Sequence, residues 1–327
     1  MKTNARCTGL LAWAALALLL PAAGAWGKQA GKSPVKVFLL AGQSNMEGQA
    51  VVDLDHPKYY NGGRGTLVRL MADPAKAPQF RHLKDKQGRW VVRDDVWVWY
   101  RAGGKRLKSG KLSIGYAVYP GKHHFGPELQ FGHVIGDAFE EQVLLIKTAW
   151  GGKSLYKDFR PPSSGGEVGA YYTKMIQEVR EVLGNIKKHF PDYGGQGYEM
   201  AGFAWLQGWN DMCTPPAVPE YKQNLVNLIR DVRKEFDVPR LPVVIGELGN
   251  GGRNAKGNML KIRQAQAAAA AQPEFAGTVV FVKTAEFARP AKDSPNVGHG
   301  HHWFGNAESY FLIGDAMGRA MKRLCGK

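Results

Sequence analysis

Five short runs of apolar residues stand out along the chain, at 35–41, 142–148, 200–206, 242–246 and 278–283. Each is rich in Val, Ile, Leu or Phe and lacks strict alternation with polar positions. That is how strands covered on both faces read. Between them lie stretches with apolar residues at helical spacing: 127–140 after a Gly-Pro start, 170–189 with a basic end, 219–236, 258–271 ending in an alanine run, and 307–324. The alternation predicts an α/β fold, a three-layer α/β/α sandwich around a mainly parallel five-stranded sheet. One region, about 51–119, breaks the alternation. Its β-like pieces at 90–93, 96–100 and 112–119 sit among glycines and charges. It reads as an insertion that lines one side of a site.

The first residues belong to a different class. Lys2 and Arg6 precede an apolar run over 10–23, followed by the small-x-small sequence Ala23-Gly24-Ala25. This predicts a secretory signal peptide over 1–25 and one domain over 33–327. The run is shorter than the roughly 20 residues of a membrane span. The expectation is a secreted or periplasmic protein with no stable membrane insertion once the leader is removed.

The net charge is +16, or +14 without Lys2 and Arg6. Basic residues crowd over 101–122: Arg101, Lys105, Arg106, Lys108, Lys111 and Lys122. No nucleic-acid motif accompanies them, so no nucleic acid is expected as a partner. The stretch reads as a solvated insertion, with attraction to an acidic glycan as the alternative. Cys213 and Cys325 could pair in an oxidising compartment. There is no Cys cluster for zinc.

In open parallel sheets, ligands bind beyond the carboxyl ends of the strands. Here those ends carry Gln43-Ser44-Asn45-Met46-Glu47, then Trp150-Gly151-Gly152, then Gln207-Gly208-Trp209-Asn210-Asp211, then Glu247, and finally Thr284, Glu286, Asp293 and His299-Gly300-His301-His302. Ser44, in a turn straight after a buried strand, is the candidate nucleophile; a lone serine would read as an ordinary turn residue. Gly151 or Gly152, the Asn210 amide and the Ser44 N–H are candidate oxyanion donors. His302 is the favoured base and His301 the second choice. The group that orients the base is Asp293, with Glu286, Glu308 and Glu247 behind it. A metal site at the histidines would need further ligands, which the spacing does not supply. His123 and His124 read as loop residues or substrate wall.

These blocks resemble carbohydrate esterase family 6 and the sialate O-acetylesterase-like group of the SGNH hydrolase superfamily. The likeness rests on Gly42-Gln43-Ser44-Asn45-Met46-Glu47-Gly48, Ala149-Trp150-Gly151-Gly152, Trp205-Leu206-Gln207-Gly208, Gly208-Trp209-Asn210-Asp211, and His302-Trp303 with Gly305, Asn306 and Gly314. It runs from about 35 to about 321. The resemblance implies an α/β/α sandwich and metal-independent ester hydrolysis without a cofactor. The implied substrate is an acetylated polysaccharide or sugar. It implies Ser44 as nucleophile, His302 as base, an oxyanion hole of Ser44, Gly151 or Gly152, and Asn210, and a pocket lined by Gln43, Asn45, Glu128 and Gln207. One departure is plain. The superfamily places its acid three residues before the histidine, and position 299 is itself histidine. The acid then comes from elsewhere, or a Ser-His dyad operates. A glycan-binding relative without activity, or an esterase on non-carbohydrate esters, is the alternative. Trp150, Trp205, Trp209 and Trp303 near the site suit sugar rings, though core packing explains some of them.

Overall fold

The computed structural model describes residues 33–327 together with Met1, so the leader at 1–25 lies almost wholly outside the described residues. The first apolar run becomes β1 (Val35–Gly42), which leads directly into the short helix α1 (Ser44–Glu47). Two strands follow from within the insertion, β2 (Arg93–Ala102) and β3 (Arg106–Leu112). The remaining apolar runs become β4 (Val143–Ala149), β5 (Tyr198–Leu206), β6 (Val243–Gly246) and β7 (Val279–Val282). The longer helices are α2 (Glu128–Ala138), α3 (Ala170–Gly184), α4 (Ala217–Glu235), α5 (Gly257–Ala270) and α6 (Ala307–Leu324).

The sheet order is β3-β2-β4-β1-β5-β6-β7, and every pairing is parallel except β2 with β3. The expected sheet of five strands therefore has seven among the described residues. The two extra strands come from the region read as an insertion. Val96 to Tyr100 pairs with Val143 to Lys147, so this β-like piece is an integral strand. Residues 113–119 do not form the expected strand. Their carbonyls are satisfied by a lysine instead: the Lys108 ammonium donates to the carbonyls of Gly115, Ala117 and Tyr119 at 2.6, 2.7 and 2.6 Å.

Successive side chains of a strand point to opposite faces. Val35, Val37, Leu39 and Ala41 pack in one core with α3, α4 and α5. Phe38 and Leu40 face the other core, formed with α2 and α6. Both faces are covered, which explains why the runs showed no polar alternation. Full burial of each Val, Leu or Phe side chain contributes roughly 1.5–3 kcal/mol. The α2–α6 layer needs Gly314, because a Cβ there would lie 2.4 Å from the Pro127 carbonyl oxygen. Among the described residues no helix is long and apolar enough to cross a membrane. Cys213 and Cys325 are both free thiols.

Candidate active site

The turn from β1 into α1 is dictated by Gly42. Its φ is +154°, and a Cβ there would stand 2.1 Å from the Leu206 carbonyl oxygen on β5. Only glycine lets the two strands approach this closely. Ser44 follows at the start of α1 with 8% of its surface exposed. Met46 and Glu47 donate their N–H groups to the Gln43 carbonyl, and Gly48 donates to the Ser44 carbonyl. Among the described residues the Ser44 N–H and hydroxyl have no hydrogen-bond partner.

Two side chains join this turn to the histidine loop. The Asn45 amide donates to the His301 carbonyl at 3.1 Å. The Tyr310 hydroxyl, on α6, donates to Asn45 Oδ1 at 2.6 Å and also lies 3.3 Å from the His302 carbonyl oxygen. Asn250 adds donors to the Gly300 and His301 carbonyls at 3.2 and 3.1 Å. The loop they hold is strained. Trp303 and Phe304 have φ of 52° and 56°, a left-handed conformation that side chains larger than glycine rarely take. Such residues cost about 1–3 kcal/mol each and cluster at functional sites.

The His302 ring lies 4.0 Å from that of His301 and 6.2 Å from that of His299, centroid to centroid. Burial, with these two neighbours adding to it, pushes His302 down to about 4. His301 is also lowered, again mainly by burial. His302 is therefore neutral at neutral pH.

Gly151, after β4, meets Ser44, and Asn210, after β5, reaches the neighbouring Gln43 and Gly152. A Cβ on Gly151 would lie 3.8 Å from Ser44 Cβ and 3.1 Å from Glu47 Oε2. Burial raises the pKa of this Glu47 carboxylate. Asn210 Nδ2 donates to the Gly152 carbonyl at 2.6 Å, and its Oδ1 accepts from Gln43 Nε2 at 3.4 Å. Gln43 Oε1 in turn accepts from the N–H groups of Gly208 and Asn210 at 3.2 and 3.3 Å. Gln43 and Asn45 also line a cavity of about 10 Å³ with Gly208, Trp209, Asn250 and Trp303. That is room for about one water molecule.

Gln207 and Glu128 are placed as framework. Gln207 donates to the Lys153 carbonyl and to Asp211 at 3.0 and 2.5 Å. Asp211, pushed up to about 6 by burial, accepts the N–H groups of Leu155 and Tyr156, both at 2.9 Å. Glu128 is fully buried and pairs with Lys147 at 2.8 Å. The Lys147 ammonium spends its other protons on the carbonyls of Glu47 and Tyr116 at 2.8 and 2.7 Å. The ion pair thus sits under α1 and supports the turn from behind. His123 pairs with Asp53 at 2.7 Å, and His124 lies 4.4 Å from the ring of Tyr119.

None of the four candidate acids meets an imidazole. Asp293 is exposed on a short 3-10 turn, where its backbone carbonyl accepts from Asn306. Glu286 is exposed as well. Glu247 accepts the N–H groups of Thr284 and Ala285, and Glu308 pairs with Lys76 and Arg289. Among the described residues no carboxylate hydrogen-bonds to His299, His301 or His302.

Tyr310, Asn250 and Lys147 were not singled out from sequence. Tyr310 reads as one more core position of an amphipathic helix, and only its hydroxyl's partners reveal its part. Tyr310→Phe leaves the buried Asn45 oxygen without its donor. We expect a loss of about 1–3 kcal/mol in urea unfolding together with lower ester hydrolysis. Unchanged stability and activity would remove Tyr310 from the site.

Comparison with known proteins bears on the family and the fold. The family model described as "Carbohydrate esterase, sialic acid-specific acetylesterase" matches residues 34–322. A protein of Arabidopsis thaliana named as a probable carbohydrate esterase is 24% identical over 238 residues, covering 71% of this chain and 75% of the relative. A crystal structure of an Arabidopsis thaliana protein superposes with a TM-score of 0.54 at 17% identity, covering 88% of this chain and 98% of the other. A carbohydrate acetylesterase from Xanthomonas citri gives a TM-score of 0.53 at 14% identity, over 89% of this chain and 57% of the longer one. The two structures share the fold, and the family model spans nearly all of the domain. The chain belongs to the carbohydrate esterase, sialic acid-specific acetylesterase family and is a carboxylic ester hydrolase.

Proposed function

We propose that this protein removes O-acetyl groups from carbohydrate by an acyl-enzyme mechanism with Ser44 as nucleophile and His302 as base. The observation that carries the reading is the Asn45–Tyr310 link, which ties the Ser44 turn to the His301–His302 backbone. His302 takes the Ser44 proton as the oxygen attacks the acetyl carbonyl. Negative charge forms on the carbonyl oxygen and is met by the Ser44 N–H and the second amide proton of Asn210. The N–H of Gly151 or Gly152 is the third donor. The protonated His302 gives its proton to the departing sugar oxygen. A water molecule, deprotonated by His302, then releases acetate and restores Ser44. With no carboxylate at the imidazole among the described residues, the pair works as a dyad, and Asp293 is not required. The N-terminal Lys2, Arg6 and apolar 10–23 support export, so we place the enzyme in the periplasm or outside the cell.

The test is acetate release, without added metal, from acetylxylan, acetylated pectin, acetylated sialic acid and an aryl acetate. Release from the glycans supports the reading, and inertness on every substrate overturns it. The pH profile is a sharper check on the base. His302 must be neutral to accept a proton, and its lowered pKa keeps it so well into acid. The ascending limb of kcat/KM is expected near pH 4, with a plateau from about pH 5 through neutrality. An unperturbed histidine would place that limb near 6.5. A limb at or above pH 6.5 would rule out the buried, neutral His302 as base.

A further inference from the structure

A second, larger cavity opens beside the histidine loop. It has about 520 Å³ and is lined by Lys58, Tyr59, Tyr60, Tyr119, His124 and residues 296–299. Most of its wall comes from the region 51–124, and the rest from the segment leading into the histidines. Three of the few large apolar side chains left exposed on the described residues line it: Tyr59 at 63%, Val297 at 53% and Tyr119 at 41%. Exposed rings gathered around one concavity, rather than scattered, mark a binding surface.

The cavity is joined to the reacting groups at two points. His299, on its rim, has its ring 5.5 Å from that of His301 and 6.2 Å from that of His302. On the opposite wall the Tyr119 hydroxyl donates to Gln49 Oε1 at 2.7 Å, and Gln49 Nε2 donates to the Ser44 carbonyl at 3.4 Å. The segment bearing Tyr119 is fastened by the three Lys108 hydrogen bonds. The wall is therefore built in place. An acetyl group needs only a small fraction of this volume, so the space serves whatever carries the acetyl.

Resting on the esterase reading above, we propose that this cavity is a subsite for sugar rings flanking the acetylated one, with Tyr59 and Tyr119 as the residues that select an oligosaccharide over an isolated sugar. A pyranose presents C–H faces that stack on tyrosine rings and hydroxyls that bond Asn296, the tyrosine hydroxyls and the histidines. The substrate class is then an acetylated chain of at least two or three rings, whose acetyl-bearing ring lies at Ser44.

The experiment compares kcat/KM for an acetylated trisaccharide with that for the matching acetylated monosaccharide. The wild type is expected to favour the trisaccharide by 10-fold or more. In Tyr59→Ala that preference should fall to within about 2-fold, chiefly through KM, whereas Tyr198→Ala, which removes an exposed tyrosine at the far end of β5, should keep it. Tyr59 is largely exposed, so loss of folding does not enter; urea midpoints confirm this. Acetate release without any chain-length preference, or a preference that survives Tyr59→Ala, overturns the subsite and leaves the esterase standing. No acetate release from either sugar overturns both.

Discussion

Ser44→Ala is expected to lower acetate release by about 10⁴-fold or more, leaving only what binding and the oxyanion donors achieve with water. The hydroxyl is the atom that must form the acyl-enzyme, and nothing nearby can replace it: Asn45, Gly151 and Gln43 carry no nucleophile. The loss should be separable from folding. Ser44 Oγ has no hydrogen-bond partner among the described residues, so its removal leaves no buried group unsatisfied, and the unfolding free energy from urea titration should change by no more than the roughly 0.5 kcal/mol seen for neutral substitutions. His302→Ala should lose activity on a similar scale. Because serine and base act as a unit, Ser44→Ala/His302→Ala should be no worse than either single variant. Retention of more than a tenth of wild-type activity in Ser44→Ala would exclude the serine mechanism. Multiplication of the two losses in the double variant would show that the residues act separately.

The second large effect concerns stability. Lys147→Ala strands the Glu128 carboxylate, which is 0% exposed, and takes the donor away from the Glu47 and Tyr116 carbonyls. Breaking one half of a buried ion pair typically costs about 3–5 kcal/mol, because the surviving charge has neither water nor partner. That is a large share of a domain's usual stability of about 5–15 kcal/mol. Lys147→Met/Glu128→Leu removes both charges while roughly keeping volume, and should recover the part due to the stranded carboxylate but not the part due to the two carbonyls. Tryptophan fluorescence in urea reads both. The Glu47 carbonyl closes the helix that starts at Ser44, so the double variant should still be slower in ester hydrolysis although stable. A cost below about 1 kcal/mol for Lys147→Ala would show that the pair does not hold the turn.

Lys147 shows why part of the site escapes sequence reading. It stands within an apolar run, Val143–Ala149, where a lysine reads as an edge or surface position. Its three acceptors come from positions 47, 116 and 128, and no local pattern links them. Tyr310 and Asn250 are alike in this respect: Tyr310 matters through the side chain of Asn45, and Asn250 through the carbonyls of Gly300 and His301, all far away in sequence. Asp293 illustrates the reverse. Its closeness to the histidines along the chain made it the natural acid, yet its 3-10 turn faces solvent and its carboxylate meets no imidazole.

The sequence by itself determined the five parallel strands, the helices between them and the edge where Ser44, Gly151, Asn210 and the histidines gather. Those are local properties: apolar runs of strand length, helical spacing, and polar residues straight after each strand. It also carried the family likeness, because the blocks lie in short contiguous stretches. What the tertiary structure decided was non-local. The β2–β3 pair joins the sheet because Val96 to Tyr100 find an unpaired edge at Val143 to Lys147, and hydrogen-bond partners so far apart leave no trace in periodicity. The strained histidine loop, the ion pair under α1 and the tyrosine-lined cavity likewise exist only where separate segments close on one another, since each depends on distances that folding sets.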